Sequence, residues 1–269
     1  MNIYHYTDLN GFKGIIENNS LWATNFHFMN DSQELKHGVD CVKGCLDYIS
    51  SDFDVDFING VRTAIEHYEN SRANYVYNLS FCKKSDVLSQ WRAYGKNQGV
   101  CLEFDSNELR ECIDQSDIFY IDGDVIYTKP NATPEAKEKI IKFFRQKKPV
   151  NQLNNRSFLD SINISNFVHI AIPYFKNDSF KEEDEYRVVI YPEKNFCGVK
   201  FRVNDKGLVP YIELKARKMD FYQMKLPIKR VIIGPCENYD YLKRGVRLLL
   251  DNNGYKKTDI TTSSIPFRN

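Results

Sequence analysis

The sequence predicts an α+β fold, and three observations lead there. Strand-like segments rich in β-branched and aromatic residues recur at uneven spacing. Helical patterns are grouped between blocks of strands instead of alternating with them one for one. No segment repeats at a fixed period, which excludes a solenoid. The 269 residues exceed the usual ~100–200 per domain but fit one large domain. With no Pro/Gly/Ser-rich linker in the chain, a single domain over 1–269 is expected.

Ile3 to Tyr6 reads as a strand, and Asp8 caps a helix whose Leu9, Phe12, Ile15 and Ile16 fall on one face before Asn18 and Asn19. Leu21 to Thr24 is a second short strand. Helical periodicity follows over Leu35 to Ile49 and Val55 to Tyr68. The middle carries strands at Tyr75 to Cys82, Gly99 to Phe104 and Ile118 to Tyr127, the first two separated by a helix over Leu88 to Tyr94. Helical patterns over Pro134 to Lys148 and Phe158 to Phe175 form an expected insertion, 134–175, between two strand blocks. Strands return at Tyr186 to Tyr191, Val199 to Val203, Val209 to Leu214 and Arg230 to Ile233. A helix over Tyr241 to Leu250 and a strand over Thr258 to Thr262 complete the pattern.

Composition narrows the function classes. Lys plus Arg number 37 against 36 Asp plus Glu, so a net charge of +1 supplies no global field for a polyanion and excludes a histone-like coat. An apolar fraction of 42% with 17 Tyr and 18 Phe supports a packed core and excludes wholesale disorder. The longest apolar stretch, Phe167 to Phe175, is broken by His169 and Pro173 and falls far short of the ~20 residues of a membrane helix. The start, Met1 to Asp8, shows no secretion signal. Seven cysteines (Cys41, Cys45, Cys82, Cys101, Cys112, Cys197, Cys236) include no Cys-x-x-Cys pair. A reduced, cytoplasmic protein with no membrane contact is expected.

Four segments could carry chemistry. A strand starting near Glu183 would set Glu183, Glu185 and Arg187 on one face, where two carboxylates and a guanidinium converge on a sugar hydroxyl or developing cation. A solvated acidic strand start would give the same residues. In Tyr4-His5-Tyr6-Thr7, His5 could donate to a ribose hydroxyl or serve as a satisfied core histidine. Asn30-Asp31-Ser32-Gln33-Glu34 has the form of a helix cap. Ser80-Phe81-Cys82 followed by Trp91 and Tyr94 at i, i+3 could wall a pocket for a flat ring or simply pack in the core. A metal site from Asp31, Glu34 and His37 lacks further ligands, and phosphate-loop, dinucleotide-fold and nucleophile-elbow motifs are missing. The basic run Lys137 to Lys148 reads as a solvated helix face.

Taken in order, these segments form a recognisable series: Tyr4-His5-Tyr6-Thr7 with Leu21-Trp22; Asn30-Asp31-x-x-Glu34; Leu79-Ser80-Phe81-Cys82 with Trp91-x-x-Tyr94-Gly95; Gly99 to Phe104; Lys176 ahead of Glu183-x-Glu185-x-Arg187; and Ile232-Ile233-Gly234-Pro235 to Arg268. The series resembles the bacterial domain of unknown function number 2971, over nearly the whole chain. That family is similar to a remote branch of the ADP-ribosyltransferases.

The resemblance implies a split β-sandwich core with helical insertions and an NAD+-dependent ADP-ribosyltransferase, toxin-like or associated with phage defence. NAD+ would be the co-substrate, a nucleic acid or protein the acceptor, and an antitoxin a further partner. Glu185 would be the catalytic glutamate, and Glu183 would position or deprotonate the acceptor. His5 would hold a ribose with Thr7 and Arg187 nearby, Tyr6 or Tyr94 would stack on nicotinamide beside Trp91, and Ser80 would brace the site. The chain departs from the better-known classes in carrying Ser-Phe-Cys in the central strand. An NAD+ glycohydrolase and a catalytically silent module binding a nucleotide or partner protein are the alternatives.

Overall fold

The structure, a computed structural model, describes residues 1–29, 33–49, 55–68, 76–95, 98–114, 118–129, 168, 171–192, 196–204 and 207–267. Strand β1 (Asn2–Asp8) runs into helix α1 (Leu9–Asn18), because Asp8 Oδ1 accepts the Gly11 N–H at 2.8 Å and satisfies one of the free amides of the first turn. Phe12, Ile15 and Ile16 bury the apolar stripe of α1, and Asn19, at φ 49°, ends the helix in the left-handed conformation. Strand β2 (Ser20–Asn25), helices α2 (Glu34–Ile49) and α3 (Val55–His67) and strand β3 (Tyr77–Cys82) follow.

Helix α4 (Leu88–Gln90) then continues into a π-helical turn, Trp91–Gly95, ahead of strand β4 (Gly99–Asp105) and helix α5 (Ser106–Cys112). The next strands are β5 (Ile118–Asp124), β6 (Ile126–Thr128), β7 (Phe175–Asn177), β8 (Glu185–Pro192), β9 (Lys200–Asn204), β10 (Gly207–Lys215) and β11 (Ile228–Ile233). Helix α6 (Tyr239–Asn252), capped by Asn238, buries Leu242, Val246 and Leu250 at four-residue spacing, and β12 (Asp259–Thr262) follows it.

Ten of these strands form one sheet in the order β12-β11-β4-β1-β3-β2-β10-β9, with β8 added on β3 and β5 on β8. All of its pairings are antiparallel except β11 with β12. The fold is therefore α+β, as expected. The feature that matters for function is at β3. One of its edges meets β8 along its whole length, while the opposite edge meets β1 at Cys82 and β2 at Tyr77 and Asn78. Between those two contacts, β1 and β2 part.

Because strand side chains alternate, the two faces of the sheet differ. One face carries a single large core that includes Ile3, Leu79, Phe81, Leu102, Tyr186, Val188 and Val231, together with Phe12, Leu109 and Leu242 from α1, α5 and α6. The other face is divided. One cluster lies under α2 and α3 around Val42, Val61, Tyr174 and Val189, and a smaller one gathers Tyr4, Tyr6, Cys82, Trp91, Cys101 and Ile232.

Several expected boundaries shift. The expected strand over Ile118 to Tyr127 is two strands, since Val125 leaves the ladder to bond the Glu185 carbonyl. The helix expected to reach Phe175 gives way to a 3-10 turn at Ile172–Tyr174, where Pro173 removes a backbone donor, and Phe175 opens β7. Helix α5 was not expected; Asp105 creates it by accepting the Asn107 and Glu108 N–H groups. Asn30, Asp31, Ser32, the basic run Lys137 to Lys148 and most of the expected insertion lie outside the described residues. Among the described residues, no helix is long and apolar enough to cross a membrane.

Candidate active site

Strands β1, β3 and β8 are adjacent in the sheet and carry His5, Ser80, and Glu185 with Arg187, respectively. Where β1 and β2 part, the imidazole of His5 closes on the free edge of β3, and its Nδ1–H donates to the Ser80 carbonyl oxygen at 3.1 Å. The ring stands edge-on to Phe81, with centroids 5.7 Å apart. Burial draws the His5 pKa below the ordinary imidazole value; the Ser80 carbonyl opposes this and the Arg202 guanidinium adds to it. His5 is thus neutral near pH 7, with Nε2 as an acceptor. Thr7, two residues on, lies against α1 so closely that a Cβ on Gly11 would stand 2.1 Å from its Oγ1.

Ser80 lies opposite Arg187 in the β3–β8 register, and Cys82 lies opposite Glu185. The Ser80 hydroxyl accepts from Asn78 Nδ2 at 2.8 Å, which directs its own proton away, and it bonds Glu185. Glu185 is 3% exposed and Arg187 fully buried. Arg187 holds Glu185 through Nε and one Nη and reaches Glu34 of α2 and the Pro173 carbonyl with its remaining N–H groups. Lys176 of β7 donates to Glu185 at 3.0 Å and to Glu183 at 2.6 Å.

This network differs from the expected arrangement in one respect. Glu183 is not on the strand: it ends a 3-10 turn, and Asp184, at φ 43°, reverses the chain before β8 begins at Glu185. The two carboxylates converge through Lys176 and not through strand alternation. The Glu183 side chain keeps 24% of its surface exposed.

The electrostatics follow from burial and partners. Burial opposes the charge on Glu185, but Arg187, Lys176 and the hydroxyl of Ser80 outweigh it and hold the carboxyl down at about 2. Glu34 moves the other way, because burial and the Glu185 charge exceed the pull of Arg187 and Lys176. Lys176 is held above its ordinary value: burial works against its charge, and Glu185, Glu34 and Glu183 prevail.

Tyr6, Trp91 and Tyr94 form a second group. Tyr6 packs edge-on to Trp91 at 4.8 Å and spends its hydroxyl on the Lys84 carbonyl and the Val87 N–H. Trp91 Nε1 donates to Asp86 at 2.7 Å, and Tyr94 packs against the same small core. Trp91 also floors a cleft of about 340 Å³ shared with Leu88, Arg92, Pro266 and Phe267. Cys82 stands between the two groups, paired in register with Tyr4 on one side and Glu185 on the other. The structure therefore gathers Ser80, Glu183, Glu185 and Arg187 in one network, with His5 joined to it only through the Ser80 carbonyl, and the aromatic residues in a neighbouring group.

Residues 90–188 match the family described as "Protein of unknown function (DUF2971)". The chain resembles this family. The DUF2971 match takes in Trp91, Tyr94, Glu183, Glu185 and Arg187, whereas His5 and Thr7 of β1 and Ser80 of β3 lie outside it. No curated protein and no solved structure matches the chain.

Three further contributors are given no site role by the sequence: Glu34 and Lys176, which it names as members of the motif series, and Asn78. Glu34 is 2% exposed and bound to Arg187, while His37 bonds Thr128 at 3.0 Å and faces Cys41. Lys176 is the bridge between the glutamates, and Asn78 orients Ser80. A lysine directly after the apolar run Phe167 to Phe175 is a local signal that Lys176 is enclosed. Chemically, the site offers a fixed negative charge at Glu185, an imidazole acceptor at the strand opening and a second carboxylate at the rim.

Proposed function

We propose that the chain is an NAD+-dependent ADP-ribosyltransferase with a split-sheet core, transferring ADP-ribose to a macromolecule. The observation that carries this reading is the contact of His5 with Ser80 and of Ser80 with Glu185, three residues from three adjacent strands at the place where β1 and β2 part. Cleavage of the bond between nicotinamide and ribose develops positive charge on the sugar, and an ionised carboxylate held in a low-dielectric site is what stabilises it.

Glu185 meets that requirement with its pKa held at about 2. In the structure its oxygens are shared by Arg187 and Lys176, so on this reading the ribose hydroxyl takes the place of Lys176, which stays on Glu183. His5 Nε2 accepts from a ribose hydroxyl. Glu183, at the rim, faces the acceptor and takes its proton. Tyr6 and Trp91 are committed to each other and to Asp86, Lys84 and Val87; on this reading Tyr94, packed against the same small core, is the aromatic residue that meets the nicotinamide ring.

A second reading is favoured by one observation. Glu185 is 3% exposed and both of its oxygens have partners, as in a module that binds a nucleotide or partner protein and uses its glutamates structurally. Incubating the pure protein with labelled NAD+, with and without cell lysate, separates the readings. Label on a macromolecule supports the transferase, free ADP-ribose alone indicates hydrolysis, and intact NAD+ supports the silent module.

A further inference from the structure

We propose that Arg202, on the wall of the opening between β1 and β2, binds the diphosphate of the dinucleotide. The identity of the ligand rests on the NAD+ reading, and the anion site rests on geometry of its own. Arg202 of β9, Tyr211 of β10 and Thr24 of β2 lie on neighbouring strands, with Tyr211 opposite Thr24 in register. Arg202 donates to Thr24 Oγ1 at 2.9 Å, and its guanidinium lies 5.9 Å from the Trp22 ring centroid and 6.0 Å from that of Tyr211.

The guanidinium lacks the partner that its neighbours have. Among the described arginines that are buried or half-buried, Arg187 pairs with Glu185 and Glu34, Arg230 with Glu103, and Arg247 with Asp251. Arg202 forms no carboxylate pair among the described residues. Lys200, two positions away on β9, is spent on Glu213 at 2.7 Å, and Asp8, which acts on Arg202 at longer range, caps α1. A half-buried guanidinium carries five donors, and here a single side-chain bond uses one of them. Holding such a charge out of water costs stability unless an anion meets it.

Position selects the anion. Arg202 meets β2 at Trp22 and Thr24, where β2 leaves β3, and His5 stands at the free edge of β3 on the β1 side. A dinucleotide laid along the opening with its cationic ring toward Glu185 brings its diphosphate, the anionic part of the molecule, toward Arg202. The fork of a guanidinium matches two phosphate oxygens.

The test is calorimetric titration of the full chain with ADP-ribose and, separately, with inorganic pyrophosphate, comparing wild type with Arg202→Gln and Arg202→Lys. Both ligands should bind wild type, Arg202→Gln should weaken both at least tenfold with a melting temperature no lower than wild type, and Arg202→Lys should recover part of the loss. Failure of wild type to bind pyrophosphate and ADP-ribose, or affinities in Arg202→Gln within twofold of wild type, would overturn the site. Wild-type NAD+ cleavage, measured alongside, keeps the two claims apart. Cleavage with an indifferent Arg202 sinks this inference and leaves the enzyme standing. Pyrophosphate binding through Arg202 without cleavage upholds the anion site and sinks the enzyme.

Discussion

Arg187 and Glu185, two positions apart on β8, form a two-pronged ion pair, with Nε 2.7 Å from Oε1 and an Nη 2.8 Å from Oε2. Both side chains are buried, and Arg187 carries Glu34 as well. Removing the guanidinium strands two carboxylates away from water, whereas neutralising Glu185 leaves an amide that still accepts. Arg187→Met is therefore expected to lose ~3–5 kcal/mol in urea denaturation, the scale of breaking a buried pair from one side. Glu185→Gln should lose clearly less. Equal losses would mean that the pair is not the organising contact.

Acid unfolding should register the same glutamate. Its folded-state pKa is depressed from 4.5 to about 2, so the unfolded chain binds the proton first as the pH falls. The stabilisation is complete above about pH 4.5 and is lost progressively toward pH 2. Stability measured against pH should fall less steeply over that window in Glu185→Gln than in wild type. Parallel curves would show that Glu185 is not held ionised.

Asp86 ties the aromatic cluster to the carboxyl-terminal segment. It accepts from Trp91 Nε1 at 2.7 Å, Ser263 Oγ at 2.6 Å, and the Ser264 N–H and Oγ at 2.8 Å each. Those bonds hold its pKa below the ordinary value against burial. Asp86→Ala should cost ~1–3 kcal/mol for the donors left unpaired and shift Trp91 fluorescence, read in a Trp22→Phe background. An unchanged emission maximum would contradict the clamp.

Gly11 is fixed by Thr7. A methyl group there meets Thr7 Oγ1 at 2.1 Å, so Gly11→Ala should destabilise even though alanine favours a helix interior by ~1 kcal/mol. In Thr7→Ala the obstruction is gone, and adding Gly11→Ala should then stabilise. A double-mutant cycle in chemical denaturation checks the change of sign.

Much of this framework was legible in local pattern, and the departures have definite causes. β3 and β8 declare themselves by alternation, and α1 by Asp8 and the spacing of Phe12, Ile15 and Ile16. The turn at Asp184 was illegible, because a left-handed aspartate is imposed by the return of the chain to β3, where Lys83 N–H bonds the Asp184 carbonyl. Arg187 and Glu34 are 153 positions apart and Lys176 sits in a three-residue strand, so no periodicity joins them. That Arg202 has no carboxylate pair among the described residues is a property of packing that no sequence window contains.

The two glutamates should also separate functionally. Glu183 keeps a quarter of its side chain exposed outside β8, and Glu185 is enclosed. Glu183→Gln is expected to depress transfer to an acceptor more than simple NAD+ hydrolysis, since loss of a general base affects the step that uses the acceptor proton. Equal depression of both activities would remove the division of roles.

The most direct measurement is the rate of nicotinamide release from labelled NAD+ by wild-type protein and by Glu185→Gln, each shown to be folded by circular dichroism. Glu185→Gln keeps the size of the side chain and one accepting oxygen and removes the charge that stabilises the developing cation. Wild type should release nicotinamide, and the variant should be slower by ~100-fold or more, the scale of losing one preorganised electrostatic group. A folded Glu185→Gln protein that cleaves NAD+ at the wild-type rate, or a wild type that leaves NAD+ intact with and without lysate, would contradict the proposed enzyme.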